Sequence, residues 1–293
     1  MSRPTCVVRA DEFESEERPR FLHGGGVKSQ VWELGKRVGL MQMGVSMRSV
    51  EPGRKSTHRH FHTVEEEWVW VLSGTGVVRI GPHRLPVREG SFVGFPPGPR
   101  PHHLISEGSD ALVFLEGGER RREEDTGFYV DRGRAWGPDG LADTNEVLPR
   151  EEGDASQCLH VDDLARAVFH HEVDALAVRQ FVELHGPTGL ERQAVSWVRV
   201  AAGDRSTARH MHDRTDEWVY ILEGRARARV GDDCFEVSAG DFLGHPAGGA
   251  AHVMEPSTEF TYLMGGQIDP EDVVVYPDAG VERRHGEIVP ASS

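Results

Sequence analysis

The sequence has 293 residues, of which 38% are hydrophobic and 28% charged, and a formal net charge of −15. The length allows one large domain or two of about 150 residues, and the acidic balance argues against nucleic-acid phosphates, which require clustered Lys and Arg. No apolar run approaches the roughly 18 residues of a membrane span, and the N-terminal stretch lacks the apolar centre of a secretory signal. Cys6, Cys158 and Cys234 fit neither a disulfide framework nor a metal knuckle. A cytoplasmic protein with a small-molecule substrate, and with neither nucleic acid nor membrane as partner, is therefore expected.

In chain order, the first signal is an acidic stretch at 11–17, read as a short helical piece. "LMQMGVSMRSV" (40–50) reads as a strand. Residues 56–70, "STHRHFHTVEEEWVW", place His58, His60 and His62 at alternate positions before Glu65, Glu66 and Glu67. Alternate residues of a strand share a face, so the three imidazoles point one way, and Glu67 can return to the same spot across a turn. "EWVWVLSGTGVVRIG" (67–81) reads as a hairpin, and "HRLPVREGSFVGFP" (83–96) and "ALVFLEGG" (111–118) extend the pattern. Residues 137–157, rich in Gly, Asp and Glu, read as a linker. A second helical piece is expected over 161–170, and strands recur at "RQAVSWVRV", "EWVYILEGRARARVG", "CFEVSAGDFLGHP" and "FTYLMGG". Short strands separated by Gly and Pro turns indicate an all-β barrel or sandwich.

The second series is a copy of the first. A shift of 150 residues lays "STHRHFHTVEEEWVWVLSG" on "STARHMHDRTDEWVYILEG" and "GSFVGFPPGPRPHH" on "GDFLGHPAGGAAHV" without a gap. His58 falls on Ala208 and Glu65 on Thr215, so the shared set is His60, His62, Glu67 and His102 with His210, His212, Glu217 and His252. Pairing with His252 favours His102 over His103. A weaker echo relates "GGERRREEDTGFYVDRG" to "GGQIDPEDVVVYPDAG". The domains expected are 1–136 and 158–293, with 137–157 between them. Trp68 and Trp70, like Trp218 and Tyr220, fall on the face opposite the histidines and are expected to pack against another sheet, the sister domain or a second chain.

These residues resemble the two motifs of the cupin superfamily. The first is Gly53–His60–Phe61–His62–Glu67–Gly74, repeated as Gly203–His210–Met211–His212–Glu217–Gly224; the second is Gly90–Pro96–Gly98–His102, repeated as Gly240–Pro246–Gly248–His252. The resemblance spans roughly 100 residues of each half and implies two tandem double-stranded β-helix, or jelly-roll, barrels: a bicupin. The spacers before His60 and before His102 are each one residue longer than usual, and Ser106 and Pro256 stand where Asn often follows. Four residues separate His62 from Glu67, where oxalate decarboxylases more often have three, which points away from a close tie to them.

Three imidazoles and a carboxylate suit a divalent transition metal, one per domain, with Fe, Mn, Zn, Ni and Co all open. The leading expectation is a dioxygenase-like oxidoreductase acting on a small organic acid, enol or phenol. The alternatives are a redox-neutral isomerase, hydrolase or decarboxylase, and a non-catalytic small-molecule binder. His58 is the candidate catalytic base, an exposed histidine at the barrel mouth being the plainer reading. Monomer and homodimer are both compatible with the sequence.

Overall fold

The structure, a computed structural model, describes residues 5–12, 16–17, 26–144 and 152–291. Its strands form two jelly-roll barrels in which every pair of named strands is antiparallel. In the first barrel one sheet runs in the order Ser91–Phe95, Glu67–Ser73, Leu112–Glu119, Met43–Val50 and Ser29–Glu33. The facing sheet runs Arg134–Gly137, Gly127–Tyr129, His60–His62, His102–Ser106, Thr75–Ile80 and His83–Arg88. The second barrel repeats this order, its histidine-bearing sheet divided into two pieces that meet only at a His210–His252 bridge.

The expected hairpins at 67–81 and 217–231 are not hairpins. Glu67–Ser73 pairs with Ser91–Phe95 and Leu112–Glu119, whereas Thr75–Ile80 lies in the other sheet beside His102–Ser106. Local pattern marks two strands and a turn, but barrel closure decides that the turn crosses between sheets. Gly74 makes that corner with φ 82°, and a Cβ there would stand 2.3 Å from the Ala111 carbonyl oxygen; Gly224 repeats it with φ 86° and 2.1 Å to Glu259.

The expected helices are also reduced. Ala10–Glu12 and Val161–Asp163 are single 3-10 turns. Residues 16–17 are extended, and residues 13–15 lie outside the described chain. Ala167–His170 is a strand paired with Val178–Glu183, where Val and Phe favour the extended ladder. An α-helix absent from the sequence reading, Leu34–Arg37, buries Leu34 completely in the inter-barrel core. In the expected linker, Gly140–Asp143 pairs with Arg134–Gly137, while 145–151 lie outside the described residues.

The two barrels exchange strands. Val7–Val8, at the start of the first half, joins Phe242–His245 of the second barrel, and Cys158–His160 joins Ser91–Phe95 of the first. Side-chain alternation then divides the core. Val69, Val71, Val78, Ile80 and Phe114 fill the first barrel, and Val219, Ile221, Ala228, Leu243 and Tyr262 line the second. The opposite faces meet between the barrels, where Trp68 stacks on Trp218 at 4.9 Å and 15°, both rings fully buried. Of the partners expected for the aromatic faces, the sister domain is the one found. Gly117 and Gly265 give these rings room, since a Cβ would lie 2.2 Å from Trp68 and 2.6 Å from Trp218. Burial of an aromatic side chain contributes about 2–3 kcal/mol.

Two buried carboxylates clasp the same interface. Glu66 accepts the backbone N–H groups of Glu191 (2.9 Å), Arg192 (3.0 Å) and Gln193 (3.0 Å). Its repeat partner Asp216 accepts those of Met41 (2.7 Å) and Gln42 (2.8 Å) from the first half and of Ala247 (3.0 Å) from its own. Of the consecutive acids 65–67, Glu66 is thus an inter-barrel anchor.

Candidate metal centres

Each candidate centre is assembled by the fold from residues far apart in the chain. His60 and His62 lie on the short strand His60–His62, with Phe61 turned away to stack on Phe128 at 5.2 Å. His102 begins the neighbouring strand and is paired with His60 in register. Glu67 begins a strand of the facing sheet. One carboxylate oxygen of Glu67 lies 3.4 Å from His60 Nε2, 3.5 Å from His62 Nε2 and 3.2 Å from His102 Nε2. In the second barrel the corresponding oxygen of Glu217 lies 3.2, 3.5 and 2.9 Å from the Nε2 atoms of His210, His212 and His252. All eight residues expected at the centres are therefore gathered, four in each barrel.

The far sides of the rings show what the near sides offer. His60 Nδ1 faces the His58 carbonyl at 3.0 Å, His102 Nδ1 the Arg100 carbonyl at 3.1 Å, and His62 Nδ1 a carboxylate oxygen of Asp125 at 2.5 Å. His210 and His212 repeat this with the Ala208 carbonyl at 2.9 Å and Asp272 at 2.6 Å. Carbonyl and carboxylate oxygens only accept, so these Nδ1 atoms carry hydrogen and the Nε2 atoms converge on one point. The donor set fits a divalent transition cation. His252 differs: its Nδ1 is buried with no partner among the described residues.

Electrostatics agree with a site organised around positive charge. Burial opposes ionisation of Glu67 and Glu217, yet the surrounding imidazoles hold both carboxyls well below the usual carboxylate range. Burial likewise opposes charge on His62, but Glu67 and Asp125 push its pKa up to about 9; Asp272 and Glu217 push His212 up to about 10. Burial takes His102 down to about 4. Without a cation, each centre thus keeps a proton on its outer histidine, where positive charge is needed to balance the acids.

The other ionisable residues of these stretches fall elsewhere. His58 is buried rather than exposed at the mouth. Its carbonyl orients His60, and the Ala208 carbonyl does the same for His210, so this positioning requires no imidazole. His103 turns its Nδ1 to the Thr57 carbonyl at 3.3 Å, away from Glu67. Arg59 points outward to Asp131 (2.6 Å) and Arg209 to Asp278 (2.9 Å). Arg205 pairs with Asp174 at 2.7 Å, and Arg54 is exposed. Glu65 accepts the Arg121 N–H at 2.6 Å and approaches His62 from behind with Asp125. Cys6, Cys158 and Cys234 are free thiols.

Asp125 and Asp272 were not among the sequence candidates, although their signal was present. Both occur in the weaker repeat of the two tails, as "EDTGFYVD" and "EDVVVYPD". That echo also contains Tyr129 and Tyr276, whose rings lie 5.9 Å from His60 and 6.2 Å from His210, and Asp131 and Asp278, which hold the two arginines. The tails therefore repeat because each supplies the outer support of its centre.

The cupin domain family matches residues 46–118 and 196–259. Oxalate decarboxylase from Bacillus subtilis at pH 4.6 is similar in structure over 90% of this chain and 76% of its own, at 16% identity and a TM-score of 0.60. The Lactobacillus farciminis oxalate decarboxylase–formate complex covers 91% and 87%, at 13% identity and a TM-score of 0.61. A structure from Acidithiobacillus ferrooxidans, named for a sugar phosphate isomerase, is 29% identical over 45% of this chain and 86% of its own, at a TM-score of 0.43. Comparison with curated proteins returns no match. Among the described residues no helix is long and apolar enough to cross a membrane.

Proposed function

The chain is a bicupin of the cupin superfamily, and from that premise we propose that it is a metal-dependent decarboxylase acting on a small carboxylic acid. The cation dependence rests on one observation. In each barrel three Nε2 atoms stand within 3.5 Å of a single carboxylate oxygen, and Nδ1 hydrogen bonds aim five of the six rings. His60, His62, Glu67 and His102 would hold one divalent transition cation, and His210, His212, Glu217 and His252 a second. When bound, such a cation supplies Lewis acidity toward a carboxylate oxygen.

The protein's own groups set the conditions around it. Asp125 and Asp272 fix His62 and His212 in orientation and tautomer. Valine, leucine and methionine side chains line the second barrel and exclude water from the reacting group. Phe95 stacks on His102 at 3.8 Å, holding that ring where its Nδ1 bond leaves it.

Non-oxidative decarboxylation breaks one carbon–carbon bond, releases CO₂ and returns a proton to the remaining carbon, with no net oxidant. The shared two-barrel fold with two oxalate decarboxylases supports this redox-neutral chemistry over the dioxygenase-like reading. At 13–16% identity the likeness is one of fold, and the particular acid is left to the test.

The test is elemental analysis of purified protein together with oxalate as the first substrate. Two cations per chain, falling to one in both His60→Ala and His210→Ala, are expected. So are equimolar formate and CO₂ without net O₂ uptake. Equal metal content in wild type and both variants would exclude the centres, and stoichiometric O₂ consumption would restore the oxygenase reading.

A further inference from the structure

The two barrels each contain an inward arginine, but at different positions and with different partners. In the first barrel Arg48, on Met43–Val50, donates to the Ser56 carbonyl at 3.3 Å. Its Nε and Nη2 are held by Glu116, at 2.8 and 2.7 Å. This is a closed, bidentate ion pair. Strand register puts Val198 in the place of Arg48 and Met264 in the place of Glu116 in the second barrel. The pair is gone, yet a guanidinium returns from the neighbouring strand.

That guanidinium belongs to Arg179, on Val178–Glu183. It donates to the carbonyl of Ser206, the repeat partner of Ser56, at 3.0 Å, shares a cavity wall with Tyr262 and lies 4.9 Å over Phe169. Among the described residues no carboxylate stands within 4.0 Å of it. Arg179 lines a cavity inside the second barrel that also touches His210, Glu217 and His252. The cavity has space because Ala228, Val230 and His245 replace Val78, Ile80 and Phe95 of the first barrel. His245, 6% exposed, stacks on His252 at 3.5 Å, and its Nδ1 has no hydrogen-bond partner among the described residues. A buried polar nitrogen without a partner is costly unless something binds it.

The geometry points to this cavity of the second barrel as the binding site for a small carboxylate. Arg179 is its anionic anchor, and His245 offers a polar contact at the cavity wall. The first barrel holds no such acid because Glu116 already occupies its arginine. A guanidinium that meets only a carbonyl, a phenol and a ring retains donors for a carboxylate fork, whereas one closed on Glu116 does not. The inference rests on the reading above that the quartet of the second barrel holds a cation, and it adds which barrel receives the substrate and by which residue.

The experiment is calorimetric titration of the full chain, loaded with Mn²⁺, with oxalate, and with metal content measured before and after. One oxalate per chain is expected for wild type. Arg179→Met should bind it about 10- to 100-fold more weakly, the loss of charge-assisted hydrogen bonds, while keeping two Mn²⁺. Arg179→Lys should fall between. Met264→Glu, which gives the second barrel the carboxylate that the first has in Glu116, should weaken oxalate as much as Arg179→Met. Arg179→Met or Met264→Glu binding within twofold of wild type overturns the anchor, as does loss of Mn²⁺ from Arg179→Met or two equivalent oxalates per chain. Wild type that holds Mn²⁺ but takes no oxalate overturns the anchor and leaves the metal reading standing; wild type that holds no Mn²⁺ overturns both.

Discussion

The two barrels have the same strand order and matching histidine–glutamate quartets, yet their interiors differ. The first is filled by Val78, Ile80 and Phe95 and neutralises its arginine internally with Glu116. The second replaces these with Ala228, Val230 and His245, and leaves Arg179 facing a cavity beside the quartet. The Glu67 side chain is 32% exposed and that of Glu217 only 9%, so the second centre is also the drier. Duplication preserved the metal-binding pattern, while small exchanges of volume and charge separated a packed barrel from one able to receive a ligand. A dry site strengthens the electrostatic grip on a carboxylate, because fewer water dipoles screen it.

Four measurements would break or sharpen this contrast. The largest effect is expected at the interface. Glu66→Ala leaves three N–H groups without an acceptor, including that of fully buried Gln193, and should lower stability by about 3 kcal/mol in urea unfolding. Asp216→Ala should cost less, about 1–2 kcal/mol, because Met41 and Gln42 are exposed and water can replace the lost acceptor. Equal losses would show the clasps to be energetically symmetric.

Next come the outer carboxylates. Asp125→Asn and Asp272→Asn should each weaken metal binding about 10- to 100-fold in their own barrel, read by competition with a chelator. An effect in both barrels from either change would mean that the centres are coupled through the interface.

A smaller dependence should appear with pH. The pKa values of about 9 for His62 and about 10 for His212 lie above neutrality, so both rings are protonated in metal-free protein at pH 6–8. A cation must displace that proton. Each barrel should therefore release about one proton on binding, and affinity should fall about tenfold for each unit decrease in pH over this range. Metal binding without proton release would contradict the charge balance described for the empty rings.

The smallest effect is expected from His58→Ala. The alanine at 208 already shows that the backbone carbonyl suffices to orient the following histidine, so metal content should not change and turnover should stay within about twofold. A large loss of turnover would move the chemistry to the first barrel.

Much of the fold and of the centres was legible because it depends on periodicities that survive in the chain. The repeat at 150 residues exposed His60, His62, Glu67 and His102 with their counterparts, and strand alternation separated them from Trp68 and Trp70. The tail echo carried Asp125 and Asp272, but its shifted register concealed their role. What was misread involved partners distant in sequence. The corner at Gly74 looks like a hairpin because nothing local tells a turn within one sheet from a turn between two. Residues 167–170 are a strand because Val178–Glu183 is there to pair with them.

The sequence by itself determined a duplicated all-β chain with two metal-suited residue sets, since ligand type and spacing are local properties. Only the tertiary structure decided that Val7–Val8 and Cys158–His160 cross to the opposite barrels, that Glu66 serves the interface rather than the centre, and that Arg48 and Arg179 are analogues. Those two arginines occupy unrelated positions in the repeat, on neighbouring strands. Closing each barrel brings them to equivalent serine carbonyls, because a side chain's partners are set by distance in space and a shift along the chain cannot reveal them.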